Sequence, residues 1–265
     1  MTSFVDPPRL PTLDLSLFDV GDPWRDHVAA QVDWASGTFG LFHIVGHGVD
    51  AGLIDTLLEL SRKFIFREEC RAHPDGLLAD LPGFRDAVHE YTTAMTGLGH
   101  KLMTTMARGL RLHDSYFVDR YTGKPATLLR ILDYPIALPP AVGQRDTGES
   151  ADRGLLTIVK QGDGGGQQVR FDGRWIDVPA VAGAFVCYVG PVLERLTNGR
   201  YVSPVHRLGS NPAGERLSMS FFFEPDADAE LEPIAEFVRA PVRAEPVQWW
   251  GGRDSGASLS SRSAS

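Results

Sequence analysis

The 265-residue sequence predicts a helical N-terminal part followed by an antiparallel β-sandwich or barrel. Three stretches before residue 111 have apolar residues at the spacing of amphipathic helices. After residue 125, short runs of β-branched, aromatic and leucine residues alternate with turn signals, and no helix-length segment separates them. Because the longest helix has an apolar stripe that needs a sheet to cover it, we predict a single domain.

In the first part, strands and helices alternate. A short strand is predicted from LPTLDLSLF, a helix over residues 24–37, and a buried strand from TFGLFHIVGHG, which is bounded by glycines. Asp50 is a suitable N-cap for a helix that runs to about Phe66. A longer helix begins near Phe84 and ends near Leu110.

The second part contains the predicted strands. They are ATLLRILDYP, GLLTIVKQ, GQQVRF, RWIDV, GAFVCYVG, SPVHRL and ERLSMSFFFEP. The breaks between them include FDG, NPAG and GDGGG, and we interpret GDGGG as a hairpin turn. We predict a helical part over 1–124, a sheet core over 125–225 and a C-terminal segment to 250. These form one domain, 1–250, and the Gly/Ser-rich tail 251–265 is expected to be disordered.

The composition argues against several classes of protein. The formal net charge is −8 and no run of Lys and Arg exceeds two residues, which disfavours a nucleic-acid surface. No apolar run approaches the ~18 residues that cross a membrane, and the N-terminus does not resemble a signal peptide. Cys70 and Cys187 lack the spacing of a metal site. We therefore expect free thiols in a cytoplasmic protein.

Four polar residues of the second part are candidates for a functional site. Asp152 lies immediately before a predicted strand, His206 lies within one, and Arg216 and Ser218 share a third. Taken singly, each has an ordinary structural explanation, as a turn residue, a core histidine or half of a surface ion pair. Ser150 is not expected to be a nucleophile, because no G-x-S-x-G sequence surrounds it.

Together, these residues and their surroundings resemble the non-haem iron, 2-oxoglutarate-dependent oxygenases of the isopenicillin N synthase-like group. LPTLDLSLF and GTFGLFHIVGHGVD are similar to the family's opening strand and its "GFF…NHG" segment. Residues 154–178 follow its "G-x-L-T…Q-D…G-L-Q-V…G-x-W-x-x-V" pattern, and residues 183–201 its "GA…N-x-G-D…TNGRY" pattern. The resemblance implies a double-stranded β-helix, or jelly-roll, core braced by N-terminal helices.

The resemblance also implies a site for Fe(II) and 2-oxoglutarate. In the family, two histidines and one carboxylate hold ferrous iron on one face. Asp152 and His206 match the carboxylate and the distal histidine. Arg216 and Ser218 match the pair that binds the far carboxylate of 2-oxoglutarate, with Tyr134 as a third hydrogen bond. The implied activity is oxidation of a small organic molecule, with no nucleic-acid or membrane partner.

The first metal ligand departs from the family pattern. Where the family has H-x-D-x-G-x-L-T, residues 150–157 read S-A-D-R-G-L-L-T, so Ser150 replaces the proximal histidine. A neutral hydroxyl is a poorer ligand for ferrous iron than imidazole. Metal affinity should therefore fall by more than the ~10–100-fold typical of losing a group that only orients a ligand.

Three outcomes follow from this departure. In one, Asp152 and His206 hold iron weakly, with water or Glu149 completing the set. In another, a histidine of the helical part reaches the site. The candidates are His43, His47 and His89. In the third, the chain is a catalytically reduced relative that binds a metabolite, pairs with an active oxygenase or catalyses a metal-independent step. A homodimer is compatible with each outcome.

Overall fold

The structure is a computed structural model that describes residues 9–65, 82–134, 152, 154–162, 165–208 and 216–238. Its elements are β1 (Thr12–Asp14), α1 (Asp22–Thr38), β2 (Leu41–Val45), α2 (Ala51–Ile65), α3 (Phe84–Gly109), α4 (Tyr116–Arg120), β3 (Ala126–Tyr134), β4 (Leu156–Lys160), β5 (Gln167–Phe171), β6 (Arg174–Val178), β7 (Phe185–Val189), α5 (Pro191–Leu196), β8 (His206–Leu208) and β9 (Arg216–Glu224). Two 3₁₀ turns span Leu15–Asp19 and Ala235–Phe237.

The described strands form two sheets. The larger has the strand order β1-β2-β7-β4-β9-β3 and the smaller the order β6-β5-β8. All neighbouring strands pair antiparallel except β1 and β2. Since β4 lies between β7 and β9, strands distant in sequence are brought side by side. This is the jelly-roll arrangement.

The two faces of the larger sheet are buried against different neighbours. Phe42, Ile158 and Phe221 pack on one face with residues of the helices. Val159 and Val186 lie on the other face and pack against residues of the smaller sheet. Because successive side chains alternate between faces, each central strand contributes to both cores. Strand β7 is accordingly buried at every position.

Helix α3 braces the larger sheet from the side away from the smaller one. It spans 26 residues, and its buried side chains include Tyr91, Met95, Leu98, Leu102 and Met106, which recur every three or four positions. Gly99 faces the ring of Phe223 on β9, where a Cβ atom would lie 2.6 Å from the nearest ring carbon. The small residue therefore allows close contact between the helix and the sheet.

Several predicted boundaries are confirmed, and one local prediction is wrong. The Asp50 carboxylate accepts a hydrogen bond from the Leu53 amide at 2.8 Å, as an N-cap does. The strand predicted from LPTLDLSLF ends at Asp14, whose side chain accepts the Ser16 amide and starts a 3₁₀ turn. GDGGG joins β4 to β5, which lie in different sheets, so it is not a hairpin turn. The described hairpin is β5–β6, with Asp172 and Gly173 both at positive φ.

Candidate metal centre

Asp152 and His206 meet between the two sheets. Asp152 lies just before β4 of the larger sheet, and His206 begins β8 of the smaller one. The distance from Asp152 Oδ1 to His206 Nε2 is 3.6 Å, and the side chains are only 12% and 17% exposed. The closed sandwich thus brings together an acidic and an imidazole side chain that are 54 positions apart in the sequence.

The backbone around Asp152 is fixed by neighbouring elements. Gly154 has φ +74°, and a Cβ there would lie 2.7 Å from Glu224 Cγ, so a larger residue would be strained and crowded. The Gly154 carbonyl accepts the Val192 amide at 3.1 Å, and the Leu155 amide donates to the Phe223 carbonyl at 3.0 Å. The start of α5 and the end of β9 therefore hold the segment that follows Asp152.

His206 is oriented by a carbonyl and an aromatic ring. Its Nδ1 lies 3.3 Å from the Pro204 carbonyl oxygen, and a bond to that acceptor requires Nδ1 to donate. The neutral ring then has its lone pair on Nε2, the atom that faces Asp152. The imidazole also packs against the Tyr188 ring, with centroids 4.9 Å apart. This orientation suits a metal ligand, because the second ring nitrogen is held by a backbone acceptor.

The electrostatics of the pair favour a bound cation. Burial raises the pKa of Asp152, whereas the His206 charge, the Thr157 hydroxyl and Arg130 act to lower it. Asp152 Oδ2 and the Thr157 hydroxyl are both buried and, in the described part of the chain, make no hydrogen bond of normal geometry. The separation of 3.6 Å from His206 is also too long for a good N–H···O bond. A divalent ion between the Asp152 carboxylate and the His206 imidazole would satisfy both of these side chains, so their chemistry fits Fe(II).

The described residues do not provide a third protein ligand. Ser150 and Glu149 lie outside them. The His43 ring donates from Nε2 to the Pro179 carbonyl at 2.8 Å, and His47 Nε2 lies 3.1 Å from the Gly183 carbonyl oxygen. Within these residues, no three His, Cys, Asp or Glu side chains are grouped as a metal site. Within the described residues, the alternative in which His43, His47 or His89 becomes the third metal ligand is therefore not borne out.

A polar network beside His206 links the sheets. The Tyr188 hydroxyl donates to Gln167 Oε1 at 2.7 Å. Gln161 Nε2 donates to the same oxygen at 2.8 Å. Burial and the Asp152 charge raise the pKa of Tyr188, so the phenol stays protonated and able to donate. The sequence reasoning missed Tyr188. Tyr188 lies in the site because β7 pairs with β4 and places Tyr188 opposite Thr157. The sequence of β7 alone does not reveal that pairing.

The residues predicted to bind 2-oxoglutarate share one end of the β3–β9 pair. Tyr134 is opposite Arg216 in backbone register, and Leu132 is opposite Ser218. Ser218 is buried, on the side of β9 away from Met219 and the helical core. The side chains of Tyr134 and Arg216 lie outside the described part of the structure, so their role stays a prediction.

Two protein-family models match the sequence. Residues 125–225 match the 2OG-Fe(II) oxygenase superfamily. Residues 10–69 match the model described as the non-haem dioxygenase in morphine synthesis N-terminal region. Between them, the models span the strands of the sandwich and the first helices, including Asp152, His206 and Arg216.

Individual relatives are similar over most of their length. A Dictyostelium discoideum protein named "Probable iron/ascorbate oxidoreductase" is 30% identical and aligns over 79% of each chain. A 1-aminocyclopropane-1-carboxylate oxidase of Dictyostelium mucoroides is 24% identical over 93% of this chain and 90% of its own. The crystal structure of a full-length Neurospora crassa protein in complex with alpha-KG matches with a TM-score of 0.80 at 22% identity, over 87% of this chain and 89% of that one. The structural match confirms the predicted jelly-roll fold.

Proposed function

Because this chain belongs to the 2OG-Fe(II) oxygenase superfamily, we propose that it is an Fe(II)/2-oxoglutarate-dependent oxygenase that acts on a small organic metabolite. The observation that best supports this is the half-buried Asp152–His206 pair at the interface of the two sheets. Within the described residues, its Oδ2 oxygen makes no hydrogen bond of normal geometry, and its imidazole is oriented, so both are suited to a divalent metal.

In this proposal, Asp152 and His206 hold the metal from opposite sheets. Asp152 contributes a carboxylate oxygen and His206 contributes Nε2, while the Pro204 carbonyl and the Tyr188 ring keep the imidazole in place. When bound, iron with 2-oxoglutarate and O2 supplies the oxidising chemistry that breaks a substrate C–H bond. The role of the chain is to position these groups and to shield them from water.

We assign the co-substrate to Arg216, Ser218 and Tyr134. A guanidinium and a hydroxyl on alternate residues of one strand suit the far carboxylate of 2-oxoglutarate, through charge-assisted hydrogen bonds. The register of β3 and β9 supports this assignment, because Tyr134 is directly opposite Arg216.

We further propose that Ser150 occupies the proximal ligand position, with water or Glu149 as the third ligand. This part rests on the alignment of S-A-D-R-G-L-L-T with the family pattern. It predicts a weaker metal site than one with two histidines, because a hydroxyl is a poorer ligand than imidazole.

Anaerobic titration with Fe(II) and 2-oxoglutarate tests the proposal. The wild-type chain should develop the weak visible charge-transfer band of a metal-bound 2-oxoglutarate complex. The band should vanish in Asp152→Ala and persist in Asp55→Ala, which removes an exposed carboxylate of α2. If the wild type gives no band, and no succinate forms under air with candidate substrates, the chain is instead a catalytically reduced relative.

A further inference from the structure

Arg130 projects from the larger sheet toward the metal centre. It lies on β3, the edge strand, directly opposite Ser220 of β9. Its chain neighbours Leu129 and Ile131 pack against the helical core. Since side chains alternate along a strand, Arg130 points to the opposite side, which is the side of the smaller sheet.

The guanidinium lies beside an aromatic ring of the same face. Arg130 Cζ is 5.2 Å from the centroid of the Phe222 ring. Phe222 is opposite Thr157, a residue whose hydroxyl influences the Asp152 carboxyl. The Arg130 charge also acts on that carboxyl, although the two side chains form no ion pair. Arg130 is therefore near the metal pair without being bound to it.

The donors of Arg130 are available to a ligand. The side chain is exposed, and within the described residues it makes no hydrogen bond or ion pair. Its contact with Phe222 orients the guanidinium against the ring face and, among the described residues, leaves the N–H groups of its edge without an acceptor. A planar guanidinium with unused donors matches the two oxygens of a carboxylate.

Arg130 is separate from the cation predicted to bind the co-substrate. Its partner Ser220 is four residues from Arg216 along β9, which corresponds to roughly 13 Å of strand. A single molecule of 2-oxoglutarate bound through Arg216 and the metal would not need Arg130. The face of β3 and β9 that points toward the smaller sheet thus offers a second position for an anion, beside Phe222 and near the Asp152–His206 pair.

Building on the proposed function, we infer that Arg130 binds a carboxylate of the substrate, and that Phe222 packs against the substrate's apolar part. The substrate class is then a small organic acid rather than a neutral or cationic molecule. The carboxylate held by Arg130 orients the remainder of the molecule toward the metal pair.

Matched acid and amide probes test this inference on the full chain loaded anaerobically with Fe(II) and 2-oxoglutarate. The probes are phenylacetate, hexanoate and cyclohexanecarboxylate, each with its primary amide, and dissociation constants are measured by ligand-observed NMR. At least one acid should bind the wild type about tenfold more tightly than its amide, as expected for a charge-assisted hydrogen bond. Arg130→Gln should remove that preference and leave amide binding unchanged. Arg174→Gln, which removes an exposed cation at the start of β6, should retain it.

The affinity for 2-oxoglutarate is measured in the same variants and should be unchanged in Arg130→Gln. If Arg130→Gln weakens 2-oxoglutarate binding as much as acid binding, Arg130 belongs to the co-substrate site and the inference is wrong. It is equally wrong if acids and amides bind alike, or if no acid binds while 2-oxoglutarate does. If the wild type binds no 2-oxoglutarate, the proposed function itself fails, and the inference fails with it.

Discussion

Tyr188 contacts the smaller sheet, including the proposed metal ligand His206, in two ways. Its ring packs on the His206 imidazole, and its hydroxyl donates to Gln167. The two contacts have different consequences. The ring limits the positions available to a metal ligand, whereas the hydrogen bond adds to the stability of the sandwich.

Substitutions of Tyr188 should separate these contacts. Tyr188→Phe keeps the ring, so Fe(II) affinity should change less than about twofold, while the free energy of unfolding falls by about 1 kcal/mol through loss of one hydrogen bond. Tyr188→Leu removes the ring and should weaken Fe(II) binding by ~10–100-fold, because His206 is no longer held. Urea unfolding and anaerobic Fe(II) titration measure the two quantities. Equal Fe(II) affinity in both variants would show that the ring does not orient His206.

At the scale of elements, α3 sets the position of β9 and of the chain that leads into β4. Gly99 allows the helix to contact Phe223, and the Phe223 carbonyl accepts the Leu155 amide close to Asp152. The packing of the helix is therefore connected through one residue of β9 to the backbone next to the proposed metal site. The apolar stripe of α3 is evident in the sequence, but its partner strand is not, because the contact spans more than 120 residues.

Two glycines of α3 provide a matched test of this packing. Gly99→Ala would place a Cβ 2.6 Å from the Phe223 ring and should destabilise the protein by roughly 1–3 kcal/mol through overpacking. Gly97→Ala has no atom within 4 Å of the added Cβ and should stabilise the protein by about 0.5–1 kcal/mol, through the higher helix propensity of alanine. Both changes are measured by chemical denaturation. Similar effects of the two substitutions would contradict the close contact at Gly99.

At the scale of the whole molecule, one buried and two half-buried histidines make stability depend on pH. Burial lowers the pKa of His43, and it does the same for His47 and His100. In the unfolded chain, these groups take up protons near pH 6.5. Because the folded chain resists protonation, the unfolded state binds more protons as the pH falls below about 6.5, and stability decreases toward the lower folded-state pKa values.

The melting temperature of the metal-free protein should consequently fall between pH 7 and pH 5. His43→Gln should flatten this dependence, since His43 is 1% exposed and its Nδ1 makes no hydrogen bond in the described structure. His89→Gln, at an exposed position of α3, should leave the slope as it is in the wild type. If the melting temperature depends on pH equally in both variants, His43 does not cause the loss of stability at low pH.

The sequence predicted the fold class, most element positions and the Asp152–His206 pair, but not the surroundings of that pair. Strand periodicity and the resemblance to a family locate the strands and match these two residues to the family's ligand pattern. The roles suggested for Tyr188 and Arg130 depend on which strands are neighbours, and pairings such as β4 with β9 are non-local.

The most direct test of the metal site is to count nitrogen ligands by pulsed EPR of the Mn²⁺-loaded protein. We expect one coupled imidazole nitrogen in the wild type, none in His206→Gln and two in Ser150→His, which should also bind metal more tightly and turn over 2-oxoglutarate faster without substrate. A wild-type spectrum with no coupled nitrogen, or a coupling that survives His206→Gln, would contradict the site built on Asp152 and His206.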